Sequence, residues 1–354
     1  MVLMKDREHI QRALDREGIT GTVQPLGEGA WHMAYLIEEK QLVLRIPKKI
    51  AYDKEVEFNP QELTAEYAAT KAFYEHANRA KKGICPEYFD FYVSEELTYT
   101  IESYVGESIG LGHQTIEEAK QYGRELGECF RLLETLDPPF AGMGYVELDE
   151  KGQLKGPYEM NAEEFLVQET DEYLSELDTL LASSYSFDKE KVERTGRQLL
   201  AERSIKREKV VFTNQDTSPE NILFSKNGAK MIDPFPLLAT GTSLAANHVF
   251  NYTMLFPKFA DTERFGKGDY HIHAAKLKAN AEGFTESYTD GSEQKQKDLH
   301  IEVFIKLLTM AFEHHQLLEE KTLNREQIIR YGTKKQVEER LQGYLQDLES
   351  YLVL

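Results

Sequence analysis

The sequence predicts an α+β protein made of a small N-terminal unit with an antiparallel sheet, residues 1–103, and a larger, mainly helical C-terminal unit, residues 104–354. Three observations carry this. From Gly21 the stretch GTVQPLGEGAWHMAYLIEEKQLVLRIPKK alternates β-forming with polar residues and is broken by turn residues, the pattern of short antiparallel strands. Beyond Gly106 apolar residues recur at helical spacing instead: Ala119, Tyr122, Leu126, Cys129, Leu133 and Leu136. A chain of 354 residues is long for one domain and suits two lobes that share a cleft.

The elements follow in order. Residues 5–17 predict a short charged helix with Ile10, Ala13 and Leu14 on one face. After the first strands, Asn59 before Pro60 starts the helix PQELTAEYAATKAFYEHANRA: the asparagine offers an acceptor to free amides, and the proline sits where no amide is needed. GICPEYFDFYVSEELTYTIESYVGE reads as further strands ending near Gly106. Thr115 with Glu118 forms a capping box for the next helix. The Pro- and Gly-rich stretch 137–156 reads as a loop, and further helices are expected at 161–181, 189–203, 300–320 and 334–353. Among them, NILF and AKMID predict a strand pair joined around Asn227-Gly228, a dipeptide that favours the positive φ angles of a tight hairpin. Residues 261–298 are polar and read in part as loop.

Charge excludes one class of function. With 42 basic and 61 acidic residues the net charge is −19, which argues against a nucleic-acid binder and fits partners that carry positive charge, or solubility alone. Cys85 and Cys129 lie in no ligand or disulfide spacing, the N-terminus lacks a signal-peptide core, and no apolar run approaches membrane-spanning length. The chain is therefore expected to be cytoplasmic, with neither nucleic acid nor membrane as partner.

Asp216, Asn221 and Asp233 lie between β-forming runs, each beside apolar residues, where an unpartnered carboxylate is rare. The hairpin puts Asn221 at the start of one strand and Asp233 at the end of its neighbour. Antiparallel pairing brings those ends together, so an amide oxygen and a carboxylate can converge on one cation. Asp216, five residues before Asn221, can face the same pocket without being a ligand. Phosphoryl transfer needs this set: hard oxygen ligands for magnesium, and a separate carboxylate to orient and deprotonate the attacking hydroxyl. Taken singly, Asp216-Thr-Ser-Pro also fits a turn, and Asn221 a side chain that satisfies strand-start amides. Asp-x4-Asn, a hairpin and then Asp is the catalytic-loop arrangement of kinases.

On these residues the sequence resembles the aminoglycoside phosphotransferases and related small-molecule kinases, which share a bilobal protein-kinase-like fold. NQDTSPENILF is similar to their His-Gly-Asp-x4-Asn loop and MIDPFP to their metal-binding aspartate segment. The resemblance implies Asp216 as catalytic base and Asn221 and Asp233 as Mg2+ ligands. LGEGAWHMAYLI resembles the phosphate-covering loop, with Gly27 and Gly29 letting the backbone approach the triphosphate. LVLRIP resembles the following strand, so Arg45 would contact the phosphates of ATP or GTP and pair with Glu66. TIESYVGE resembles the hinge, where the backbone of Glu102, Ser103 and Tyr104 would bind the base edge. The resemblance spans residues 21 to about 250.

Three departures stand out: Asn214-Gln215 replaces His-Gly, Pro-Phe-Pro follows Asp233, and ATGTSLAANHVF lacks a further aspartate. The expected function is transfer of the γ-phosphoryl of ATP or GTP to a hydroxyl of a small molecule, with net acidity tilting toward a cationic acceptor such as an aminoglycoside. The alternative is a catalytically weak or inactive pseudokinase acting as a nucleotide-binding module. His271, His273, His314 and His315 lack the companions of a metal site and read as loop and helix residues.

Overall fold

Helix α1 (Met4–Glu17) lies against an antiparallel sheet in the computed structural model, which describes residues 4–353. The helix is too short to be stable alone. It buries Ile10, Ala13 and Leu14 against Tyr35, Ile37, Leu44, Tyr99 and Ile101, as its one-faced pattern predicts. Full burial of a Leu or Ile side chain contributes about 1.5–3 kcal/mol, which is enough to hold such a helix in place.

The sheet contains β1 (Val23–Glu28), β2 (His32–Ile37), β3 (Leu42–Pro47), β6 (Phe89–Val93) and β7 (Thr98–Ser103), in the order β1-β2-β3-β7-β6. Between β3 and β6 come a two-residue hairpin, β4 (Ile50–Ala51) with β5 (Lys54–Glu55), and helix α2 (Pro60–Ala80). The Asn59 side chain accepts from the amides of Gln61 and Glu62 at 3.2 and 3.3 Å, and Pro60 opens the helix as expected.

The C-terminal part is mainly helical. Helix α3 (Ile116–Leu133) starts at the complete Thr115–Glu118 capping box. The stretch expected as a loop carries three short strands, β8 (Gly144–Tyr145), β9 (Glu147–Leu148) and β10 (Leu154–Lys155), before α4 (Ala162–Ala182) and α5 (Lys189–Ala201). Then come β11 (Val210–Asn214), the hairpin β12 (Ile222–Ser225) with β13 (Gly228–Met231), and β14 (Pro236–Thr240), which lies between β11 and β8. In the hairpin Gly228 alone of the Asn227-Gly228 pair takes the left-handed conformation, φ 94°.

Helices α6 (Gly241–Phe250), α7 (Phe256–Phe259), α8 (Ala274–Thr289), α9 (Glu293–Glu319), α10 (Arg325–Tyr331) and α11 (Lys334–Ser350) complete the fold. Residues 261–273 are turns around one short 3-10 helix, as the reading of 261–298 as partly loop expects, and helix α8 fills most of the rest. Its buried Leu277, Ala281, Phe284 and Tyr288 recur at 4-3-4 spacing, a core stripe hidden among polar neighbours. It meets α3 backbone to backbone: a Cβ on Gly123 would come within 1.9 Å of the Asn280 carbonyl oxygen, and one on Gly283 within 2.0 Å of the Lys120 oxygen. Among the described residues no helix is long and apolar enough to cross a membrane.

Candidate active site

The register of β11 and β14 builds the site. Asn214 pairs with Pro236, and the Gln215 amide donates to the Phe235 carbonyl at 3.0 Å, so the 215–235 excursion leaves and returns at one place. Within it, Ile222 pairs with Met231 and the Ile232 amide donates to the Asn221 carbonyl at 2.9 Å. Asp216, Asn221 and Asp233 are thereby brought together, as their spacing predicts.

Asp216 is recessed and held by both oxygens: Oδ1 accepts from the Ser218 amide at 2.9 Å and Oδ2 from Asn221 Nδ2 at 2.8 Å. Lost hydration raises its pKa above the ordinary carboxylate value; the Ser218 hydrogen bonds oppose the shift and the charge of Asp233 adds to it. Asn221 spends its amide N–H on Asp216, and no protein donor takes its Oδ1 among the described residues. Asp233 stands in the left-handed conformation, φ 47°, with its amide donating to the Tyr74 hydroxyl at 3.1 Å and its carboxylate 44% exposed.

Where the resembled family has histidine, Asn214 braces the loop. Its Oδ1 accepts from the amides of Asp216 (3.0 Å) and Phe235 (2.8 Å), and its Nδ2 donates to the Asp216 carbonyl at 2.7 Å. A second brace comes from buried His248 on α6. Burial holds its pKa down to about 3, so the ring is neutral, with Nδ1 2.9 Å from the Thr217 hydroxyl and Nε2 3.0 Å from Asn280 Oδ1. Asn214→Ala strands two amides and a carbonyl at about 1–3 kcal/mol for each unsatisfied group. The expected result is a lower urea midpoint together with a drop in turnover.

Arg45 does not pair with Glu66, which corrects the expectation from sequence. Its guanidinium is held by Glu102, with Nε and Nη2 each 3.0 Å from Oε1, and approaches Asp233 Oδ2 at 3.5 Å. The reason is strand alternation: Glu102 points into the lobe, 3% exposed, and its other oxygen accepts from the buried Tyr74 hydroxyl at 2.9 Å. Burial alone would lower the Arg45 pKa; the charges of Glu102 and Asp233 outweigh it and the net direction is upward.

Glu66 opens into the same recess as His32, Arg45, Tyr74 and Asp233. Desolvation, with the charge of Asp233 second, pushes its pKa up to about 7. A carboxyl raised from 4.5 favours the folded state at low pH and gives up that contribution as pH rises through about 7. NMR titration should place the Glu66 midpoint near 7, and Asp233→Asn should lower it.

The hinge also differs from expectation. Glu102 is paired on both sides, to Val43 and Phe89, while the amides of Ser103 and Tyr104 donate to the carbonyls of Tyr88 (3.0 Å) and Gln41 (2.8 Å). Among the described residues the amides of Val105 and Gly106, the first beyond Tyr104, donate to no protein acceptor, nor do those of Glu107 and Ser108. Gly27 and Gly29 are exposed and neither has positive φ. A Cβ on Gly27 would meet open space, and the turn is closed by the Gly29 amide donating to the His32 carbonyl at 2.9 Å.

Sequence reasoning missed Tyr74, Asn214 as a brace, and His248. Tyr74 had a signal, since Glu66, Thr70 and Tyr74 at i, i+4 and i+8 form one helical stripe facing the recess. Among the described residues no group of three His, Cys, Asp or Glu side chains could hold a metal ion, and His314 bonds the Met310 carbonyl at 2.8 Å. A larger open depression of 570 Å3, lined by Ser175, Tyr185 and His315, contains none of the candidate site residues.

A five-stranded antiparallel sheet followed by a larger, mainly helical part that carries this loop is the architecture of the protein-kinase-like class. The chain belongs to the phosphotransferase enzyme family, whose sequence profile matches residues 22–234. No curated protein sequence matches it significantly. Among solved structures, aminoglycoside phosphotransferase APH(4)-Ia is similar at TM-score 0.56 and 13% identity, covering 97% of this chain and 98% of that one. A thermostable mutant of that enzyme, in ternary complex with ADP and hygromycin B, gives 0.55 and 13% over 96% and 97%. ADP-bound APH(2'')-Ib gives 0.52 and 13% over 97% and 99%. At these identities the likeness is one of fold.

Proposed function

We propose that this phosphotransferase moves the γ-phosphoryl group of ATP or GTP to a hydroxyl of a small molecule, with the lobes meeting at Ser103–Tyr104. The observation that carries the proposal is the convergence of Asp216, Asn221 and Asp233, with the Asn221 amide on Asp216 Oδ2 at 2.8 Å. Each Asp216 oxygen takes one hydrogen bond from the loop and keeps lone pairs for the acceptor O–H. The acceptor proton passes to Asp216 as the acceptor oxygen bonds to phosphorus and the nucleoside diphosphate leaves. Arg45, fixed by Glu102, contacts the phosphates, and the Gly27–Gly29 turn covers them. The free hinge amides at Val105 and Gly106 take the base edge.

The donor set fits Mg2+. Among the described residues Asn221 Oδ1 has no protein donor, and Asp233 offers a half-exposed carboxylate; both are hard oxygen ligands. When bound, the ion supplies charge neutralisation of the transferring phosphates. The ADP and hygromycin B complex of the similar enzyme supports a nucleotide together with a small-molecule acceptor, and the net charge of −19 favours a cationic one. Two buried, unpaired cysteines suit a reducing cytoplasm. The alternative, a catalytically weak or inactive pseudokinase, rests on the altered residues before Asp216; the three hydrogen bonds of Asn214 brace that loop and support the active reading.

Calorimetric titration of ATP and GTP, with and without magnesium, tests this proposal. Magnesium-dependent binding is expected, and Asp233→Asn should weaken it. A lost charged ligand is worth on the order of 1.5–3 kcal/mol, or roughly 10–100-fold in affinity. No nucleotide binding under any magnesium condition would overturn the proposal.

A further inference from the structure

The β4–β5 hairpin turns through Tyr52 and Asp53, both left-handed at φ 51° and 60°. Such a turn ordinarily takes Asn, Asp or Gly; a tyrosine there is strained, and strain held in place directs attention to what the side chain touches. The tip crosses to the helical lobe. Asp53 Oδ2 lies 2.8 Å from Arg325 Nε, Lys54 Nζ lies 3.5 Å from Glu326, and the Arg330 guanidinium stands 4.7 Å from the Tyr52 ring centroid. All three partners lie on α10.

Tyr52 also meets Trp31, with ring centroids 5.4 Å apart and edge to face. Trp31 follows the Gly27–Gly29 turn, and Lys48 pins it there: its amide donates to the Trp31 carbonyl and its Nζ to the Gly29 carbonyl, each at 2.7 Å. On the far side the Arg264 amide donates to the Ile329 carbonyl of α10 at 3.0 Å. The Arg264 guanidinium forks onto Glu220, at 3.0 and 2.9 Å, inside the catalytic loop.

We infer that the hairpin is a clasp that positions the glycine turn over the catalytic loop, with Tyr52, Asp53, Arg325 and Arg330 as positioning residues. It rests on the reading of the Gly27–Gly29 turn as the phosphate cover. Its ion pairs are exposed and individually weak, which suits a contact that opens for substrate exchange and closes again.

Trp31 is the only tryptophan and is 47% exposed, so its fluorescence reports the clasp without nucleotide or acceptor. Arg325→Asp should red-shift the emission and raise acrylamide quenching, as should 1 M salt, where the screening length falls to about 3 Å. The charge swap Asp53→Arg with Arg325→Asp should restore the wild-type signal. Tyr52→Gly relieves the strained turn and removes the ring, so it should free Trp31 without lowering the melting temperature. Affinity for Mg-ATP should weaken in Arg325→Asp and Tyr52→Gly and return in the swap. Quenching that is the same in wild type and Arg325→Asp at low salt would overturn the clasp, whatever the nucleotide does. Trp31 changes in a protein whose wild type binds no nucleotide would overturn the phosphate-cover reading and the positioning role with it.

Discussion

Asp216→Asn is expected to leave ATP affinity near that of the wild type and to lower turnover by about 10²–10⁴-fold. The amide keeps the hydrogen bond from Ser218 and loses the capacity to take a proton. The two readouts must therefore separate, binding intact and chemistry gone. The pH profile gives a second check. Desolvation holds the Asp216 pKa above the usual carboxylate value, so wild-type turnover should fall on acidification through a limb lying above that value, as the base becomes protonated. The limb should be missing from the residual activity of the variant. Near wild-type turnover in Asp216→Asn would remove Asp216 from the reaction.

Arg45→Met should cost about 3–5 kcal/mol of stability, because it leaves Glu102 charged and 3% exposed with its partner gone. It should also abolish most nucleotide affinity. These two losses have different causes, and a double variant divides them. Replacing Glu102 by Met as well removes the orphaned charge, and a buried pair exchanged for apolar side chains of similar volume is close to neutral in stability. Urea denaturation of Arg45→Met with Glu102→Met should recover most of the lost stability while nucleotide affinity stays low. Recovery of both would show that Arg45 serves only the fold.

The sequence exposed those parts of the molecule whose cause is local. Asn59-Pro60 and the Thr115–Glu118 box start helices wherever they occur, because they satisfy amides that every helix leaves open. The Asp216, Asn221 and Asp233 geometry was legible for a similar reason: one short hairpin fixes it. The partner of Arg45 was not, since Glu102 lies 57 residues further along the chain and which face it takes depends on the register of β3 with β7. Helix α8 was obscured because its apolar stripe is thin and its closest approach to α3 is made at glycines, which leave no hydrophobic trace. Asn214 stands where the resembled family has histidine and His248 reaches the loop from α6, so these braces became visible only when the loop, α6 and α8 were seen together.

The backbone contact between α3 and α8 bears on how fast different parts of the molecule exchange amide hydrogens. Where a Cβ would already lie within 2.0 Å of a facing carbonyl, neither helix can roll or fray without separating along its length. Their central amides should open only in global unfolding and exchange slowest of all, near Gly123 and Gly283. Asn280, on the same stretch of α8, carries His248 and through it Thr217, so the residue after Asp216 is anchored to the slowest-exchanging part of the chain. The exposed glycine turn is held by Lys48 and the hairpin contacts rather than by packed helices, and should exchange orders of magnitude faster. A deuterium-exchange map would then show slow exchange around Gly123 and Gly283 and fast exchange at the Gly27–Gly29 turn.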